Sequence, residues 1–167
     1  MASGLASRVH SSVVIANKNL DTAKSLSKML STDYYHISSS SDVVGVEVCA
    51  AIKNIFSMII GAAPGLNKIK NEDNLFLNTS AALVNQSIYE MEVFTEFLKG
   101  KKETVKGLAG LGDLYVSAAG GRNSKMGNYL GRGYSFKKAK QKFMPNDTVE
   151  GEQLIREIAP FILQKLN

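Results

Sequence analysis

VGVEVCAAIKNIFSMIIGAAPG (residues 44–65) is an almost wholly apolar segment that nevertheless carries Lys53 and Asn54 near its middle. At helical spacing Val46, Cys49, Ala50, Phe56, Ser57 and Ile60 surround Lys53, so the lysine rises from a largely apolar or small face. Stripping water from an ammonium costs roughly several kcal/mol unless a carboxylate, a ligand or deprotonation offsets it. Two readings stand side by side. Desolvation lowers a lysine's pKa and suits it to proton abstraction near neutral pH; alternatively, the flexible stem snorkels to water past the end of a core helix.

Upstream, Asp42 behind a serine run is placed to cap this helix, and Gly61 with Pro64-Gly65 is expected to stop it. Residues 12–16 (SVVIA) read as a strand, Asn17 and Asn19 mark a turn, and Asp21 is expected to cap a helix reaching Leu30. Residues 34–37 read as a second strand ended by the serines at 38–41. This is a βαβ piece too small to bury both faces of a parallel sheet, and it reads as the tail of something larger.

Downstream, residues 67–74 are polar and turn-rich. Leu77, Ala81, Val84, Ile88, Met91, Thr95 and Leu98 then predict a second long helix over 75–98, closed by Gly100. Gly107, Gly110, Gly112, Gly120 and Gly121 make the next stretch dense in glycine, which weakens regular structure and lets backbone approach a ligand. Short helices are expected at 128–130 and 135–143, and a last one from about residue 148 that Pro160 kinks. Two long helices with apolar stripes argue for an all-α core.

With 167 residues, 44% hydrophobic and 21% charged, the chain has the composition of an ordinary folded domain. Glu47, Lys53 and Asn54 interrupt the greasiest run, so no membrane span is expected, and the first residues do not read as a signal peptide. A single cysteine, Cys49, suits a reducing, cytoplasmic setting. His10 and His36, far apart in sequence, leave no metal-site spacing, and neither reads as a catalytic base. Residues 114–146 contain no acid but carry Arg122, Lys125, Arg132, Lys137, Lys138, Lys140 and Lys142. That field attracts a phosphorylated metabolite or a dinucleotide, or it is a solvated basic face; without a reading motif, nucleic acid is not expected.

Three features are candidates to converge: Lys53, Asp113 after the glycine-rich stretch, and Arg122-Asn123 after two glycines. A guanidinium beside backbone donors at a helix start describes a phosphate clamp. Asp113 is placed either to hold Lys53 or a hydroxyl, or merely to cap local backbone. A dinucleotide fingerprint is missing, since GRGYSF (131–136) lacks a third glycine and GLAGLG (107–112) has the wrong spacing.

Together DVVGVEVCAAIKNIFSMIIGAAPG (42–65), NTSAALVNQSIYEM (78–91), GLAGLGDLYVSAAGGRNSKMG (107–127) and VEG (149–151) resemble, in order and spacing, the carboxyl-terminal domain of NAD(P)-dependent glycerol-3-phosphate dehydrogenase. The resemblance implies a mainly α fold, an all-α bundle like the carboxyl-terminal domain of 6-phosphogluconate dehydrogenase, preceded by a short βαβ remnant of a Rossmann domain. It implies residues 1–41 as the truncated end of a dinucleotide-binding domain and 42–167 as the α-helical substrate domain. Lys53 matches the family's proton-transferring lysine, acting on the C2 oxygen of glycerol 3-phosphate or dihydroxyacetone phosphate. Asn54, Asp113, Ser117, Arg122 and Asn123 match substrate-binding positions, with Arg122 and Asn123 on the phosphate. Arg122, Glu150 and Thr148 match positions that touch the cofactor, NAD or NADP. The chain departs from the family at Gly121, where many bacterial members have serine, and at Ser80 and Asn85-Gln86, which replace basic positions. The cofactor fingerprint being absent, the expectation is a dehydrogenase fragment inactive or weak alone, with a homodimer or a separately encoded cofactor domain as partner. The alternative is a non-catalytic dimerisation or interaction module derived from that enzyme.

Overall fold

A computed structural model of the protein describes residues 2–70 and 77–165. The chain divides into two compact units, one of residues 1–49 and 91–112, the other of residues 50–90 and 113–167.

In the first unit a short helix α1 (Ala2–Ala6) precedes strand β1 (Ser11–Ala16), helix α2 (Leu20–Leu30) and strand β2 (Tyr35–Ser40). The strands pair in parallel, from Ser11 opposite Tyr35 to Ala16 opposite Ser40, with α2 as the crossover that parallel pairing demands. Asn19 caps α2, its side chain accepting from the Asp21 and Thr22 amides; Asp21 itself lies within the first turn, not at the cap expected of it. The serines expected to end β2 continue it instead. Their backbone pairs with Val14, Ile15 and Ala16, while Ser39 bonds Ser27 of α2 at 2.8 Å. On α2, Leu26, Met29 and Leu30 stay exposed.

Helix α3 (Val43–Lys70) begins in this unit under Asp42. One oxygen of that buried carboxylate accepts the Gly45 amide at 3.0 Å. The other accepts the Lys101 amide at 2.9 Å and the Thr104 hydroxyl at 2.6 Å, which ties α3 to helix α5 (Lys102–Lys106). Helix α4 (Leu77–Phe97) ends here as well; Lys99 takes the left-handed position at φ 70°, and the Gly100 amide bonds the Thr95 carbonyl at 2.9 Å. Gly100 is needed for a different reason than closing the helix, since a Cβ there would lie 2.8 Å from the Gly45 nitrogen.

Burial by itself pushes the Asp42 carboxyl up, but the bonds from Thr104, Gly45 and Lys101 and the charge of Lys101 outweigh it and hold the group below its ordinary 3.8. A carboxyl lowered on folding stabilises the protein above its unfolded pKa, and that contribution is lost as pH falls through the folded value. Asp42→Asn should therefore cost roughly 1–3 kcal/mol at neutral pH and flatten the acid limb of the stability curve below about pH 4. Urea titrations across pH 3 to 7 check both effects.

The second unit holds the remainder of α3, the start of α4, and helices α6 (Asp113–Gly120), α7 (Arg122–Gly131), α8 (Phe136–Phe143) and α9 (Glu150–Lys165). Helix α3 does not stop at Gly61 or Pro64-Gly65 but runs through the proline to Lys70. The glycines serve packing. A Cβ on Gly61 or Gly65 would come within 2.2 Å of the Ser124 or Asn128 carbonyl of α7. In return, a Cβ on Gly127 or Gly131 would come within 1.8 or 2.1 Å of the Met58 or Ala62 carbonyl of α3. Four glycines, spaced four apart on each helix, bring two backbones into direct contact.

Around that seam Met126, Ala139, Met144 and Val149 form a buried core, covered by Met58, Leu130, Tyr134 and Phe136. Tyr129 and Phe143 stack with centroids 4.3 Å apart. The glycine-rich stretch is regular after all, a π-helical turn (Leu108–Gly112) followed by α6 and α7. Two cations of the acid-free run 114–146 are committed to the fold. Lys140 donates to the Met144 and Pro145 carbonyls, and Arg132 lies over the Tyr129 and Tyr134 rings, 5.7 Å from each centroid.

Within α3, residues 43–66 are long and apolar enough to cross a bilayer, so the length argument against a span does not hold. Three polar residues are too few to lower the average. About 33% of it is buried by protein, including Cys49, Ile52, Ser57, Ile60 and Ala63. The expected loop at 67–74 is helical as far as Lys70, and its remainder lies outside the described residues, as do positions 75 and 76 of the second helix and Leu166 of the last.

Candidate active site

Lys53 sits mid-helix on α3 with its side chain 17% exposed, and its ammonium is ion-paired to the carboxylate of Asp113, the first residue of α6. The pair resolves how a cation is tolerated on an apolar face, because the carboxylate holds the lysine and offsets the water it has lost. Beside it opens a cleft of about 330 Å³. Helix α3 supplies Ala50, Lys53, Asn54 and Ser57 to its wall, while α6 supplies Ser117. The start of α7 adds Gly121, Arg122 and Asn123, and the start of α9 adds Glu150.

Of the residues singled out in the sequence, Lys53, Asn54, Ser117, Arg122, Asn123 and Glu150 thus line one cleft, and Asp113 stands behind Lys53. Thr148 is exposed and does not line it. Ala50 and Ser57, read in the sequence as neighbours of Lys53 three and four positions away but not as site residues, line it as well.

Asn123, only 5% exposed, joins the three walls. Its amide nitrogen donates to Asn54 Oδ1 at 3.1 Å and to Glu150 Oε2 at 3.2 Å, and its oxygen accepts the Gly151 amide at 2.9 Å. Gly151 permits this closeness, since a Cβ there would meet the Asn54 carbonyl at 2.6 Å. Glu150 also pairs, through Oε1, with the guanidinium of Arg122. The glycine N-cap of α7 offers no side-chain bond of its own, so a helix start and a guanidinium face the same space.

The parallel strand pair offers a dinucleotide no cradle. The turn between β1 and α2 has no glycine, and the first amides of α2 that would meet a pyrophosphate are taken by the Asn19 side chain. His10 and His36 do meet through space, nitrogen to nitrogen at 3.2 Å, yet no group of three or more metal-binding side chains occurs among the described residues.

Residues 42–167 match the family model for the carboxyl terminus of NAD-dependent glycerol-3-phosphate dehydrogenase. The chain belongs to this family. It is 31% identical over 142 residues to the NADP(+)-dependent glycerol-3-phosphate dehydrogenase of Archaeoglobus fulgidus, covering 85% of this chain and 42% of that protein. The crystal structure of glycerol-3-phosphate dehydrogenase from Coxiella burnetii superposes with a TM-score of 0.82 at 30% identity, over 98% of this chain and 48% of that one. The yeast enzyme gives 0.84 at 25% identity, over 97% and 48%. The chain therefore spans less than half the length of the relatives it matches, and its fold is that of their carboxyl-terminal α-helical domain with a two-stranded parallel sheet before it.

Proposed function

We propose that the cleft is the substrate site of a glycerol-3-phosphate dehydrogenase, with residues 42–167 as its substrate domain and 1–41 as the end of a dinucleotide-binding domain. What carries the reading is a partly buried lysine, ion-paired to a carboxylate, in the wall of a cleft that also holds an arginine at a helix start. Arg122 and the first amides of α7 receive the phosphate, whose charge the guanidinium and the helix start both favour. Asn54 and Ser117 bond the hydroxyls. Lys53, kept in place by Asp113, gives its proton to the carbonyl oxygen of dihydroxyacetone phosphate, or takes it back from the C2 hydroxyl of glycerol 3-phosphate. The strand pair has no glycine-rich turn to hold the pyrophosphate of a nicotinamide dinucleotide, so that part of the cofactor is held from elsewhere and the chain by itself turns over slowly or not at all.

Titration of the chain with glycerol 3-phosphate, followed by calorimetry or by NMR shifts at Arg122 and Asn54, is expected to show saturable millimolar-range binding. Arg122→Ala should weaken it by about ten-fold or more. Equal binding of glycerol and glycerol 3-phosphate would count against a phosphate site.

A further inference from the structure

An anion pocket does not ordinarily have a carboxylate in its wall, and this one does. Glu150 Oε1 is paired with Arg122, the cation to which the proposed function assigns the phosphate, and Glu150 Oε2 accepts from Asn123. A side-chain amide has two N–H donors. Both of Asn123's are spent, on Asn54 and on Glu150, and its oxygen is spent on the Gly151 amide. The Asn123 side chain is buried and satisfied, so it has no donor to offer an incoming oxyanion without breaking the ties among α3, α7 and α9. Arg122, by contrast, is exposed to the cleft, and Glu150 is the anion it already holds.

We infer that Glu150 is an internal competitor for the phosphate, an affinity-setting carboxylate that a substrate dianion must displace from Arg122, while the Asn123 side chain positions Glu150 and Asn54 instead of binding the phosphate. The inference rests on the substrate-site reading above. Two negative groups share one guanidinium poorly. Displacement is feasible because the pair is partly open to water, with side chains 52% and 39% exposed, a setting in which ion pairs are weak. Once released from Arg122, Glu150 keeps its bond to Asn123, so the walls of the cleft need not move.

Inorganic phosphate and glycerol 3-phosphate, titrated into the full chain and its variants, test this. In Glu150→Gln the side-chain oxygen still accepts from Asn123 while the charge is gone, and phosphate should bind about three- to ten-fold more tightly. The salt dependence of binding should steepen as well. Asn123→Asp should weaken phosphate binding by repulsion, and Asn123→Ser should lower the melting temperature by breaking the ties to Asn54, Glu150 and Gly151. If Glu150→Gln instead weakens phosphate binding while the wild type binds and Arg122→Ala does not, Glu150 orients the arginine and the competitor role is wrong, with the substrate site intact. If neither wild type nor Glu150→Gln binds phosphate or glycerol 3-phosphate, both readings fall.

Discussion

Gly127→Val should leave a chain that does not fold. The Cβ of any residue at 127 would sit 1.8 Å from the Met58 carbonyl oxygen and 3.1 Å from the Ala62 nitrogen, and both are helix backbone with no rotamer to move. Relief requires α7 to back away from α3 along its length, which opens the reciprocal contacts of Gly61, Gly65 and Gly131 and uncovers Met126. Overpacking of an ordinary core costs about 1–3 kcal/mol, whereas forcing a backbone seam apart adds lost burial and exceeds about 4 kcal/mol. Against a total stability of roughly 5–15 kcal/mol, that removes most of the folded population. Gly120→Ala is the control, because nothing lies within 4 Å of its Cβ, and it should be neutral or slightly stabilising. Circular dichroism melts of the two variants distinguish them; a cooperative Gly127→Val transition near the wild-type temperature would mean that the seam is not close-packed.

The seam also explains where reading the sequence failed. Gly61, Pro64 and Gly65 carry the ordinary signals for a helix end, and Gly107 to Gly121 those for a loop. Residues 43–70 and 108–120 are helical, because a glycine chosen for backbone contact, as at Gly61, Gly65 and Gly110, looks the same in one dimension as a glycine chosen for a turn, as at Gly107 and Gly121. The element types elsewhere were legible where periodicity was strong, as in α3, α4 and the βαβ piece. Caps were legible where one side chain dominates, as at Asp42, and not where two neighbours competed, as with Asn19 and Asp21. Lys53 announced itself as a cation on an apolar face, and Asp113, 60 positions away, was among its candidate partners; the fold decides between that role and a local cap. Nothing local marked Asn123 as saturated. Its three partners come from two other helix segments, and a hydrogen-bond count across elements has no sequence signature.

The proposed reaction makes its largest demand on Lys53. Joined to the amino-terminal half of the Archaeoglobus fulgidus relative, of which this chain matches 42%, the protein should reduce dihydroxyacetone phosphate, and Lys53→Met should lower kcat by about 10²–10⁴-fold. Lys53→Arg is the sharper variant. It keeps a positive charge beside Asp113, but a guanidinium does not release its proton in the working range, so substrate affinity should survive while turnover does not. A raised KM with kcat preserved would make Lys53 a binding cation only. Removing the lysine also strands the Asp113 carboxylate in a partly buried setting, so Lys53→Met alone confounds chemistry with stability. The double variant Lys53→Met with Asp113→Asn removes both charges and should regain stability without regaining turnover. Stability and rate then separate in one series, and the proton-transfer role stands only if the rate fails to follow the stability back.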